Sequence, residues 1–133
     1  MTVTARQCVL AWAPAVLYML LIWALSSMSH VIVNFERVPF QDKGAHFVEY
    51  GILAALVAHA LRGTAPQRQM LWVVTVSIAA ATIWGVIDEI HQAYVPGRVS
   101  DARDLLADAL GASLGALLWA MYRARANKRV RAG

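Results

Sequence analysis

The sequence predicts an all-α polytopic membrane protein, a bundle of four transmembrane helices with both termini in the cytoplasm. Three observations carry this. Of 133 residues, 59% are hydrophobic and only 15% charged, where a soluble domain would be nearer a quarter charged. Four apolar runs approach the ~20 residues needed to cross the hydrocarbon layer. The Lys and Arg residues lie beside those runs with a one-sided bias, as expected of topology determinants.

The first run covers residues 8–29 and carries no charge. Arg6 precedes it, as a basic residue precedes a cleaved signal. The stretch is longer than the usual signal core and includes Trp12, Pro14, Tyr18 and Trp23, so it reads as a retained helix. The second run, 44–61, has His46 and Glu49 in its first turns. The third, 70–88, is uncharged until Asp88, and the fourth, 105–122, holds Asp108. Residues 123–133 bring five Lys and Arg and read as a loose basic tail near anionic lipid. Together these segments leave room for one domain and no soluble one. The sole cysteine, Cys8, excludes an intramolecular disulfide and a cysteine-rich zinc site. It reads as a buried residue at a helix end.

Arg6, Arg62, Arg68, Arg123, Arg125, Lys128, Arg129 and Arg131 are eight of the twelve Lys and Arg, and all fall on one side of this scheme. That side is the cytoplasm. Beside apolar segments, a net charge of +4 describes topology and gives no reason to expect nucleic-acid binding. The acids are distributed oppositely. Glu36, Asp42, Glu49, Asp88, Glu89, Asp101, Asp104 and Asp108 lie in or near the two outer connections. Acidic residues contribute little to topology, so something other than orientation places them there. The first outer connection, 30–42, mixes apolar and polar residues and suits the interface. The second contains the Pro96-Gly97 turn signal, with Ser100 or Asp101 placed to cap the fourth helix.

Lys43, His46, Glu49 and Tyr50 share one face of the second helix. Glu49 lies about two turns in, where a charge costs a few kcal/mol and calls for a partner or polar cavity. Asp88, His91 and Gln92 share a face at the end of the third helix, with Glu89 offset by about 100°. The spacing of Asp88 or Glu89 to His91 resembles carboxylate–histidine pairs that bind metals or move protons. Asp101, Asp104 and Asp108 form one stripe on the fourth helix. Helix-dipole complementarity accounts for the first two. Asp108 lies deeper and must be protonated, ion-bound, or paired with Arg98, Arg103, Lys43 or a histidine. Gly111 and Gly115, like Gly51, Ala54, Ala55 and Ala58 on the second helix, are small residues suited to close helix packing. Such packing would bring Glu49 towards Asp108.

The ordered set resembles the VanZ-like family. It comprises Asp42-Lys43-x-x-His46-Phe47-x-Glu49-Tyr50, Asp88-Glu89-x-His91-Gln92, Pro96-Gly97-Arg98, and Asp104-x-x-x-Asp108-x-x-Gly111-x-x-x-Gly115, with Leu25-Ser26-Ser27 closing the first helix. The resemblance spans nearly the whole chain. It implies a bacterial inner-membrane protein related to an accessory protein of glycopeptide-resistance clusters, linked to teicoplanin susceptibility. Asp108 stands where relatives often carry Asn, which strengthens the expectation of an ion site.

The candidate site residues are therefore Lys43, His46, Glu49, Asp88, Glu89, His91, Gln92, Arg98, Asp104 and Asp108. In an envelope enzyme acting on a lipid-linked or cell-wall substrate, Glu49, Glu89 or Asp108 would be general base. His46 and His91 would be acid–base groups or metal ligands, and Lys43 and Arg98 would hold a phosphate or carboxylate. The alternative is a non-catalytic accessory protein that binds an envelope lipid or lipoglycopeptide with the same residues. A proton pathway ranks below both, because little polar links the cluster to the cytoplasmic side. A salt-bridged staple between helices is the bland reading.

Overall fold

The computed structural model describes residues 3–28, 41–98 and 100–132. Within them the chain forms four helices and no strand: α1 (Ala5–Ser26), α2 (Gln41–Thr64), α3 (Met70–Gln92) and α4 (Ala102–Ala132). Each is long and apolar enough to cross a membrane. The shortest, α1, has 22 residues and rises about 33 Å, a little more than the hydrocarbon thickness. The chain is a multi-pass membrane protein.

Thr4 starts α1 through a capping box. Its Oγ1 accepts from the Gln7 N–H, and its own N–H donates to Gln7 Oε1, satisfying two amides that no earlier turn can bond. Pro14 lies within α1. Much of α1 is turned outward, including Val9, Leu10, Leu17 and Leu20, as expected where lipid replaces water. Cys8 is only half-buried, short of the burial expected from its type.

At the centre, α2 packs on α1, α3 and α4. Its closest partner is α4, and the two start at the same end of the bundle. Ala54 and Ala58 of α2 and Ala112 and Ala116 of α4 are fully buried. A Cβ at Gly111 would overlap the Phe47 backbone, and one at Gly115 the Gly51 backbone. The small-residue stripes therefore pack within the chain and bring the two backbones together, as small residues do between membrane helices. Tyr50, Leu53, Val57 and Val73 fill the space where α3 closes the core.

The helices alternate in direction. The end of α1, start of α2, end of α3 and start of α4 meet at one end of the bundle. The start of α1 meets the end of α2 at the other, where Ala11 lies beside Gly63. The turn from α3 to α4 passes through Gly97 at φ 82°, a left-handed conformation that glycine adopts at no steric cost. The first connection lies outside the described residues, and with it His30, Glu36 and Arg37.

The structure corrects the extent of α4. Residues expected as a loose basic tail continue the helix to Ala132. The hydropathy falls after Tyr122, but Arg, Ala and Lys are good helix formers with no Gly or Pro among them until Gly133. Basic side chains also suit a helix C-terminus.

Candidate functional site

Nearly all the candidate residues gather at the end of the bundle where α2 and α4 begin. They form two corners with Glu89 between them.

One corner joins α1 to α3. Asp88 is fully buried, and both its oxygens are bonded. Ser26 Oγ donates to Oδ1 at 2.6 Å and Gln92 Nε2 to Oδ2 at 2.8 Å. One turn on, His91 Nε2 lies 2.9 Å from Ser27 Oγ, and its ring stacks on Trp23 with centroids 3.9 Å apart. Arg98 reaches back to the same corner. Its guanidinium donates to the carbonyls of Leu25 (3.0 Å) and Met28 (3.3 Å). Both carbonyls lie at the negative end of the α1 dipole, where the Leu25 oxygen also accepts from the Met28 N–H.

The other corner joins α2 to α4. Lys43 Nζ bridges Asp101 (3.0 Å) and Asp104 (2.8 Å). Below it, His46 Nδ1 donates to Asp108 Oδ1 at 2.9 Å, and both residues are buried. These contacts resolve the repulsion built into the acidic stripe of α4, because each acid faces a cationic or N–H group of α2. Gly85 of α3 makes room for the pair, since a Cβ there would collide with the Asp108 carboxylate. Tyr50 lies one turn beyond His46, its ring nearly parallel to the imidazole at 6.0 Å. Of the two residues placed to cap α4, Asp101 takes the role: its Oδ1 accepts from the Arg103 N–H at 2.9 Å. That N–H, with the Lys43 ammonium, holds the Asp101 carboxyl below its ordinary pKa.

Glu89 faces α4 because it stands about 100° around α3 from Asp88. Its Oε2 accepts from Ser100 Oγ (2.8 Å) and the Asp101 N–H (3.0 Å). Its Oε1 has no hydrogen-bond partner among the described residues, and neither has Asp108 Oδ2. One donor atom each from His46, Glu89 and Asp104 lies within 4.8 Å of the other two. Glu89 also lines a shallow depression of about 410 Å³ with Val86, Ile90, Tyr94 and Leu105. Val86, Ile90 and Tyr94 are exposed on the outside of the bundle, so the depression opens sideways, towards lipid.

Set against the sequence, nine of the ten candidates take part in these two corners or in the Glu89 contacts between them. Glu49 is the exception: half-buried, it makes no hydrogen bond among the described residues, and Asp108 turns to His46 instead. The carboxylate–histidine pair expected around His91 is formed by His46 and Asp108. The three-residue spacing puts Asp88 and His91 on one helix face, but both side chains turn to different serines of α1. Lys43 and Arg98, expected to hold an anion, are engaged by Asp101 and Asp104 and by α1 carbonyls. Sequence reading left Trp23, Gly85 and Ser100 out of the site. Trp23 carries no signal beyond its place in the first apolar run, and nothing local marks Gly85.

The family model described as VanZ/LLP1 matches residues 10–123. That span runs from α1 to the basic part of α4 and includes every candidate residue. No curated protein matches the chain, and no solved structure does.

Proposed function

The chain belongs to the VanZ/LLP1 family, and from the polar assembly at one end of its bundle we propose that it handles an amphiphilic molecule of the cell envelope. The observation that carries this reading is the position of Glu89. Its carboxylate lies between a buried His46–Asp108 pair and a depression that opens to lipid between exposed apolar residues. An amphiphile entering from the bilayer would lay its apolar part against Val86, Ile90 and Leu105 and bring its headgroup to Glu89. Pockets that combine apolar walls with a few convergent polar groups are where such ligands bind.

The chemistry available there is acid–base. The imidazole of His46 is oriented by Asp108, and one Glu89 oxygen has no partner among the described residues. Such groups suit proton transfer to or from a headgroup. The substrate class is a lipid-linked or cell-wall precursor, and handling of lipoglycopeptides by the same site would alter teicoplanin susceptibility. A second reading, holding without turnover, is favoured by how many of the site's polar groups are already bonded internally.

The site belongs on the outer face of a bacterial cytoplasmic membrane, with both termini inside. The support is charge: Arg62, Arg68 and the basic end of α4 lie away from the polar end, and excess Lys and Arg mark the cytoplasm. Cys8, near the start of α1, should then react with an impermeant maleimide only from the cytoplasmic side. Labelling from outside intact cells would reverse the orientation.

The functional test compares envelope lipids and wall precursors by mass spectrometry in cells carrying the wild type, Glu89→Gln or no protein, at matched membrane levels. A species that changes with the wild type and not with Glu89→Gln supports turnover. Unchanged profiles with an amphiphile still bound to the purified protein support holding. Unchanged profiles and no bound amphiphile overturn the proposal.

A further inference from the structure

His46, Glu89 and Asp104 come from three different helices, and each is more than nine-tenths buried. Each has one polar atom held by a neighbour. His46 Nδ1 is bonded to Asp108, Glu89 Oε2 to Ser100 and the Asp101 N–H, and Asp104 Oδ1 to Lys43. Each also has a second donor with no bond among these contacts: His46 Nε2, Glu89 Oε1 and Asp104 Oδ2. Glu89 Oε1 is buried and has no partner among the described residues, whereas buried polar atoms as a rule have one.

We propose that these three residues bind a divalent first-row metal ion through His46 Nε2, Glu89 Oε1 and Asp104 Oδ2. The arrangement has the form of a metal site with its outer shell in place. A ligating histidine usually donates its other N–H to a carboxylate, which fixes the tautomer, and Asp108 occupies that position for His46. Lys43 meets the charge of Asp104, but Glu89 has no salt-bridge partner among the described residues, and a bound cation would supply one. Donors bonded tetrahedrally to one ion at about 2.1 Å lie about 3.4 Å apart. One donor atom from each of the three residues lies within 4.8 Å of the other two, so binding requires the side chains to close by up to about 1.4 Å. One imidazole and two carboxylates suit Zn²⁺ or Mn²⁺, with at least one coordination position left for water or ligand.

The ion also serves the proposed function, a role that rests on that reading. Lys43 and Arg98 are engaged, so an anionic headgroup reaching Glu89 would meet unbalanced negative charge. An ion with an open position would supply the positive charge, and with the ion bound its coordinated water, in place of His46 and Glu89, would be the proton-transfer group.

The test uses the full, untagged chain in detergent, stripped with chelator, reloaded with Zn²⁺ or with Mn²⁺, and assayed for bound metal by mass spectrometry. The wild type should retain about one ion per chain, with affinity lowered at least tenfold in Glu89→Gln and His46→Gln. Asp108→Asn should weaken binding by about 10–100-fold, the range for removing an outer-shell partner. His59→Gln, far from the site, should bind as the wild type does. A second readout needs no variant: the ion should raise the thermal midpoint of the wild type in proportion to the logarithm of its concentration. Failure of the wild type to retain either metal overturns the inference, as does undiminished binding in a folded Glu89→Gln. Metal is read here without lipid, so this inference and the lipid-handling reading fail separately.

Discussion

The imidazole of His46 and the carboxylate of Asp108 meet at 2.9 Å between α2 and α4, with no exposed surface on Asp108. A buried pair of this kind is costly to break on one side only, because the remaining partner is left uncompensated. His46→Ala and Asp108→Ala should each destabilise the fold by about 3–5 kcal/mol. The double variant should cost clearly less than the sum, since the two residues share one interaction. Unfolding in mixed micelles, run as a double-mutant cycle, reads this. Additive losses would mean that the two residues act independently.

The approach of α2 to α4 depends on Gly111 and Gly115. A Cβ at Gly115 would overlap the Gly51 backbone, which cannot move aside as a flexible side chain can. Gly115→Leu should therefore separate the helices, dislodge the His46–Asp108 pair and reduce accumulation in membranes severalfold. Gly44→Ala is the matched control, because a Cβ there meets nothing within 4 Å. Quantitative blotting of membrane fractions distinguishes the two, and equal accumulation would contradict the packing.

Asp101 gives the site a pH dependence of known sign. The Arg103 N–H and Lys43 hold its folded pKa below the ordinary value of 3.8. A depressed carboxylate pKa contributes stability that is fully present well above 3.8 and is lost as pH falls through the folded pKa. Asp101→Asn should abolish the part of acid destabilisation that appears below about pH 4 and leave neutral-pH behaviour little changed. The carboxylate is partly exposed, so added salt should shrink the effect. Thermal unfolding of both proteins at pH 3 to 7 measures it.

The fold was largely legible because lipid imposes a simple rule. Every spanning segment must be long, apolar and internally hydrogen-bonded, and four such segments stand out in the sequence. The basic end of α4 misled because hydropathy reports lipid and not helicity, and Arg123 to Arg131 favour a helix in any solvent. The site was legible as a set of residues but not as a set of pairs. Helical phase placed Glu89 apart from Asp88, and the structure turns them to α4 and α1 respectively. Phase does not say which helix lies on which side, so His91 looked like a carboxylate's partner when it stacks on Trp23. The partners of Arg98 were beyond reach, because they are backbone carbonyls some 70 residues earlier and carry no side-chain signature.

On the proposed reading, the depression beside Glu89 receives an envelope amphiphile. The most direct measurement is native mass spectrometry of the purified chain released from its membrane, comparing the wild type with Ala93→Trp. Ala93 lines the depression and takes no part in the charged network, so the indole fills the space and leaves the His46–Asp108 pair intact. Leu17→Trp, on the outward surface of α1, controls for general effects of a large side chain on bound lipid. An amphiphile should be retained by the wild type and by Leu17→Trp and lost severalfold from Ala93→Trp. Equal retention by all three proteins would contradict it.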